Sequence, residues 1–213
     1  GGTIQISSSK IEKRLIIETL QNCDIVTVCG TKSREALYEL GIEQAKTKIM
    51  PNSIDTAFFK DKNKDTLFDI LYLGRIVKFP KNVDLVIRVT EVLKRKFPEI
   101  RVAVVGDGSA LKEMINLSKR LGLDKNIFFF GHQQDTLRFY QNSKIFLTCS
   151  ESEGLPLTML EAMSVGLPTV ISNAGDISDA AIDGYNSYLI NDIRNIQSYV
   201  EGIERLLLDE ENY

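Results

Sequence analysis

From residue 69 onward, short apolar runs alternate with amphipathic stretches. Ile70-Leu71-Tyr72-Leu73 reads as a strand, and so do 101–105, 127–130, 144–149, 169–172 and 187–190. Between them, helical spacing predicts a helix over 82–96, with Val86, Val89, Leu93 and Phe97 on one face. Further helices are expected over 110–121 (Leu111, Ile115 and Leu121 near one side), 135–141, 157–165 and 196–208, with one or two helical turns over 177–182. Gly166-Leu167-Pro168 stops the helix before it. The strands are continuous apolar runs, not apolar/polar alternations, as in parallel strands covered by helices on both faces. The expected class is α/β, a doubly wound, Rossmann-like parallel sheet.

The first fifty-odd residues follow another rhythm. Helices are expected over 11–20 and 33–40 and strands over 24–28 and 48–50, the last running into Pro51-Asn52-Ser53-Ile54-Asp55. The charged, irregular stretch 56–68 reads as a boundary. The expected division is 1–55 and 56–213, with no internal repeat or low-complexity tract.

Composition narrows the function. A length of 213 residues suits one full α/β domain and part of a second. Net charge is −3, without the basic surplus that a nucleic-acid partner requires. Cys23, Cys29 and Cys149 have no metal-ligand spacing and read as small buried hydrophobes in a reducing compartment. There is neither an apolar run near the ~20 residues that cross a bilayer nor an export signal at the start. The expectation is a cytoplasmic chain, with peripheral contact at the inner face of the membrane as the alternative.

In a doubly wound sheet, ligands bind beyond the carboxyl ends of the strands, so chemistry is sought in the loops that follow them. After the first strand, Gly74, Arg75, Lys78 and Lys81 share one loop. Arg offers a planar fork of donors and Lys a point charge, a pairing suited to a diphosphate; solvated surface cations are the plain alternative. Gly106-Asp107-Gly108 is a fragment of a dinucleotide fingerprint, with Leu111 in place of its third glycine. A tight turn explains it equally well, while glycine also permits close backbone approach to a ligand. Gly131-His132-Gln133 holds the only histidine, which has no metal-ligating neighbours and reads as a loop residue before a catalytic one.

The richest segment is 150–163. Gly154 and Pro156 make a tight loop of Glu153-Gly154-Leu155-Pro156-Leu157, with Pro156 expected just inside the following helix. The amides near Leu155, Leu157 and Thr158 then lack intrahelical partners and form a phosphate-binding helix start. Glu153 and Glu161 frame it, and carboxylates accept hydrogen bonds from sugar and ribose hydroxyls. A carboxylate favoured by the helix dipole is the competing explanation for Glu161.

Glu153-Gly154-Leu155-Pro156 with Glu161-Ala162-Met163, followed by Gly166-Leu167-Pro168, resembles the E-x7-E motif of family-4 (group 1) retaining glycosyltransferases of the GT-B fold. Arg75 with Lys81, the glycines of 105–108 and 130–131, Asp183-Gly184-Tyr185-Asn186 and the 49–55 segment are similar to that family's other landmarks. Ser187 stands where the family usually has a glycine, and Ala174-Gly175 where it has a double glycine.

The resemblance implies one half of a two-domain enzyme. It would move a sugar from a nucleotide diphosphate sugar to a glycan or lipid-linked acceptor, with retention and without a metal or other cofactor. Arg75 and Lys81 would hold the diphosphate and stabilise the leaving nucleotide, Glu153 would contact the donor sugar with help from the 154–157 backbone, and Glu161 would bind ribose. Gly106, Gly108, Gly131, His132 and Gln133 would lie by the base. Residues 1–55 would be the remnant of an acceptor domain whose remainder, including a catalytic histidine, is missing, so the fragment alone would bind donor weakly and not transfer sugar. A GT-B sugar-nucleotide epimerase and a non-catalytic nucleotide-binding module are the alternatives. A Rossmann oxidoreductase is disfavoured because Arg75 and Lys81 occupy the loop where G-x-G-x-x-G belongs.

Overall fold

The computed structural model describes residues 10–60 and 66–208. The chain runs α1 (Lys10–Gln21), β1 (Val26–Val28), α2 (Thr31–Glu39), β2 (Thr47–Ile49), β3 (Phe68–Leu73), α3 (Val83–Leu93), β4 (Val102–Val105), α4 (Leu111–Arg120) and β5 (Ile127–Gly131). It continues through α5 (Leu137–Gln141), β6 (Ser143–Thr148), α6 (Leu157–Ser164), β7 (Thr169–Ser172), β8 (Ser187–Ile190) and α7 (Ile196–Leu208).

Strands β3 to β8 form one parallel sheet in the order β5-β4-β3-β6-β7-β8. Successive residues of a strand face opposite sides. Ile70 and Tyr72 therefore join Val86, Leu93 and Val104 beneath α3, α4 and α7, while Leu71, Ala103 and Phe146 join Met159 and Ala162 on the other face. Two cores sandwiching one sheet explain why the strands read as unbroken apolar runs, and the doubly wound class is the observed one.

The local differences have physical causes. Helix α3 stops at Leu93, short of residue 96, where turns tighten (Arg95 N–H to Val92 O, 3.2 Å; Lys96 N–H to Leu93 O, 3.0 Å) ahead of Pro98. Helix α4 buries Met114 and Ser118, with Ala110 buried just before its start and Leu111, Leu117 and Leu121 packed on the same core. Ile115, expected on the side of Leu111 and Leu121, is only partly buried and lies outside that cluster. In place of helical turns over 177–182 there is a 3₁₀ turn, Gly175–Asp179, whose carboxylates are drawn toward α2.

Residues 10–50 build a small unit around a two-stranded parallel pair, Val26 opposite Thr47 and Val28 opposite Ile49. Its core is Val26, Leu37 and Ile42, with Leu20, Cys23 and Val28 packed against them. Helix α2 begins after Gly30 without a side-chain cap of its own. Its first amides are taken up across the molecule: Asp179 Oδ2 accepts from Thr31 N–H (2.6 Å) and Thr31 Oγ1 (2.9 Å). Asp176 accepts from Ser33 N–H (2.8 Å) and Ser33 Oγ (2.5 Å). Carboxylates at a helix amino end satisfy donors that have no intrahelical acceptor and complement its dipole. A Cβ at Gly30 would stand 2.4 Å from Asp179 Oδ2, so glycine permits this contact. Asp55 Oδ1 accepts from Ala57 N–H at 2.9 Å and turns the chain toward the sheet; part of the expected 56–68 boundary, residues 61–65, lies outside the described residues.

Candidate functional site

The chain builds β3, β4 and β5 outward in one direction, then returns to place β6 on the other side of β3. The carboxyl ends of β3 and β6 thus flank the point where the sheet's order reverses, the place where doubly wound sheets take their ligands. The loops leaving these two strands are 74–82 and 149–156, the two that the sequence marked as richest in chemistry.

Direct bonds tie the loops together. Asn82 is buried in a left-handed conformation, φ 47°, which asparagine tolerates better than most residues. Its Nδ2 donates to Cys149 O at 3.0 Å, and Glu151 N–H donates to Pro80 O at 2.8 Å. Lys81 Nζ makes a short charge-assisted hydrogen bond to Glu153 Oε1, both side chains mostly buried. Arg75 is exposed, and its carbonyl accepts from Tyr72 Oη at 2.9 Å. Burial foremost, then the nearby Cys149 and Glu153, pushes the Tyr72 hydroxyl well above its usual range, with Arg75 opposing; it stays a donor at neutral pH.

Beyond Glu153, Gly154 and Leu155 are buried. Pro156 is extended (φ −69°, ψ 127°) and precedes α6 instead of lying inside it, so the helix starts at Leu157. Pro156 supplies no side-chain cap, and Leu157, Thr158 and Met159 hold the first-turn amides that no intrahelical carbonyl can reach. Leu157 is 45% exposed beside them. Glu161, one turn on, accepts from Tyr140 Oη at 2.6 Å.

The glycines divide by cause. A Cβ at Gly106 (φ +136°) would lie 1.9 Å from Gly74 O, and one at Gly108 (φ +158°) 2.3 Å from Ile76 O. Both glycines are required by the packing of the β4 loop against the β3 loop. Gly131 (φ +66°) has open space about its Cβ direction, and its carbonyl accepts from Gly106 N–H at 2.8 Å. His132 is exposed. Gln133 is engaged at both ends of its amide, donating to Phe130 O (2.8 Å) and accepting from Arg138 Nη2 (2.5 Å). This trio follows β5, two strands from β3, or about 10 Å at the usual strand spacing.

Several supporting residues carry little local signal. Gly175 (φ +57°) allows the chain after β7 to pass the Glu153 loop, since a Cβ there would fall 1.7 Å from Glu153 O. Asn52 Nδ2 donates to Leu155 O at 2.6 Å across 103 residues. Ser172 Oγ donates to Ser150 O at 2.6 Å. Asn52 lies in the 49–55 segment that resembles the family's, and Gly175 where the family has a double glycine, but their partners depend on the tertiary fold. A separate cleft of about 410 Å³, lined by Met163, Leu167, Pro168, Tyr185, Tyr188 and Arg205 among others, opens at the amino ends of β7 and β8; no candidate residue lines it.

Among the described residues, no group of three or more His, Cys, Asp or Glu side chains could hold a metal ion, and no helix is long and apolar enough to cross a membrane.

Similarity to known proteins agrees with the motifs. An uncharacterised glycosyltransferase of Haemophilus influenzae is 27% identical over 206 residues, covering 93% of this chain and 57% of the relative. The O-antigen biosynthesis glycosyltransferase WbnH of Escherichia coli is 28% identical over 215 residues, covering all of this chain and 58% of the relative. The chain thus spans somewhat over half the length of these relatives. The solved structure of Anabaena HepE in complex with UDP superposes with a TM-score of 0.86 at 20% identity, over 97% of this chain and 60% of that one, and shares the GT-B fold. The family model for glycosyl transferases group 1 matches residues 53–213, well over half of the sequence, and the chain therefore belongs to that family.

Proposed function

We propose that this chain carries the nucleotide-sugar donor site of a retaining glycosyltransferase that acts on a glycan or lipid-linked acceptor. The observation that carries the reading is the Lys81–Glu153 bond across the switch point, made beside the exposed Arg75 and the unpartnered amino end of α6. A cation, a carboxylate and free amides then lie where a sugar diphosphate presents hydroxyls and phosphate oxygens.

In this reading, Lys81 exchanges Glu153 for the diphosphate when donor arrives. Arg75 joins it, and the amides of Leu157 and Thr158 receive a phosphate oxygen. Glu153, released from Lys81, accepts from hydroxyls of the donor sugar. As the glycosidic bond breaks, negative charge grows on the departing diphosphate, and the fixed cations stabilise it there, a role that requires no divalent metal. Glu161 accepts from ribose hydroxyls, and the 131–133 loop lies on the side of the base. Residues 56–213 form the donor unit, and 1–55 belong to the acceptor side.

Because HepE was solved with UDP, UDP is the first nucleotide to test, with GDP and ADP beside it. Calorimetric titration should show one of them binding saturably, and Lys81→Ala and Glu161→Ala should each weaken it about tenfold or more, as expected for lost hydrogen bonds to charged groups. A folded chain that takes up none of the three would overturn the reading.

A further inference from the structure

We propose that Tyr140 is a positioning residue that sets the Glu161 carboxylate for the ribose of the donor, an inference that rests on the donor-site reading above. Tyr140 lies in α5, is fully buried, and donates from Oη to Glu161 Oε2 at 2.6 Å. The other carboxylate oxygen, Oε1, has no hydrogen-bond partner among the described residues. One oxygen is thus held from within the protein and the other is left for a ligand.

The ring that carries the donor has little freedom. Phe59 packs edge-on against it, centroids 6.0 Å apart at 85°, and Phe146 lies 6.2 Å away on the sheet side. Phe59 is fixed in turn, because its carbonyl accepts from Ser164 Oγ at 2.5 Å in the last turn of α6. The helix that bears Glu161 and the ring that orients it are therefore locked to the same short segment. Burial foremost, then the charge of Glu161 and the bond to it, raises the Tyr140 hydroxyl well above its usual range, so it remains protonated at neutral pH.

A glutamate without such a hold samples many rotamers, and ordering it on binding costs affinity. With Oε2 fixed, the carboxylate plane is set before the ligand arrives. A vicinal diol rewards this pre-orientation, because both of its hydroxyls must be met at once. The opposing account is that Glu161 merely satisfies a buried phenol. That account predicts a loss of stability with no dependence on the sugar hydroxyls of the ligand.

The experiment compares UDP with 2′,3′-dideoxy-UDP on the wild-type chain and on Tyr140→Phe. Wild type should prefer UDP. Tyr140→Phe should bind UDP about tenfold more weakly, the scale of a lost bond to a charged group, and bind the dideoxy form as wild type does. An equal loss for both ligands, or no loss for either, overturns the proposal while leaving the donor site standing. Wild-type chain that binds none of UDP, GDP and ADP removes the donor site itself. Should Tyr140→Phe fail to fold, the Tyr140 hydroxyl proton can be followed by NMR in wild type: it should shift on adding UDP and stay in place on adding the dideoxy form. The same shift with both ligands overturns the proposal.

Discussion

The small unit at residues 10–50 and the six-stranded sheet are both parallel α/β arrangements, yet they are stabilised differently. The sheet has a core on each face, and its central strands β3, β4 and β6 are paired on both sides. The small unit has two strands of three residues and three buried apolar side chains at its centre. Ile11, Leu15, Ile25 and Met50 are each more than half exposed on it. It relies on the larger body even for the start of α2, whose amides bond to Asp176 and Asp179. The comparison teaches that a Rossmann-like pattern in sequence does not by itself provide independent stability; the number of covered faces does.

The largest test lies near where the two meet. Gly175→Ala puts a Cβ within 1.7 Å of Glu153 O at a backbone angle that side chains disfavour. It should cost on the order of 3 kcal/mol and abolish nucleotide uptake, since the Glu153 loop must move. Thermal melting and titration would show both; retained uptake would mean that the loop has slack and that the contact is not a constraint.

An effect of similar size on stability, but confined to one side and leaving nucleotide uptake in place, is expected from Leu37→Ala. Leu37 is fully buried in the small core, and truncation should remove about 2–4 kcal/mol. If the units differ as described, hydrogen exchange will rise in α1, β1 and β2 while β3 to β8 keep their protection. A uniform rise across the chain would show one cooperative block and end the comparison.

The smallest change tests the joint. Asp176→Asn keeps an acceptor for Ser33 N–H and removes the charge, so it should cost only about 1 kcal/mol. Exchange at the first turn of α2 should report it. Unchanged exchange there would mean that Asp179 alone holds the helix.

The sheet was legible in the sequence because parallel strands buried on both faces are apolar at nearly every position. The sequence-based strand ended one residue late after β6 and began two residues late at β3, where Asp69 breaks the run. The structure explains Asp69, which accepts from Arg101 N–H (2.9 Å) and pairs with Lys144 (3.1 Å). Helix ends were less legible: the turns after Leu93 keep helical spacing but pass to i→i−3 bonds at Arg95 and Lys96, with one i→i−4 bond left from Phe97 N–H to Leu93 O (2.8 Å). The placement of Pro156 depended on one backbone angle, and Ile115 on a small rotation of α4.

The two central loops were found because topology dictates where ligands go. Their mutual bonding was not, because Lys81 and Glu153 are 72 residues apart. Tyr140, 21 residues from its partner, looked like any core aromatic. What escaped reading was pairing across the chain, which local pattern does not encode.

The strand order also sets a timetable. During synthesis β3 acquires β4 on one side soon after it emerges, but its other neighbour, β6, begins about 70 residues later. At ribosomal speeds of 5–20 residues per second that is roughly 4–14 s. For that interval a central strand presents an edge of unpaired backbone N–H and C=O groups, and the nascent chain is open to chaperones and to wrong partners until residue 148 is free to close it.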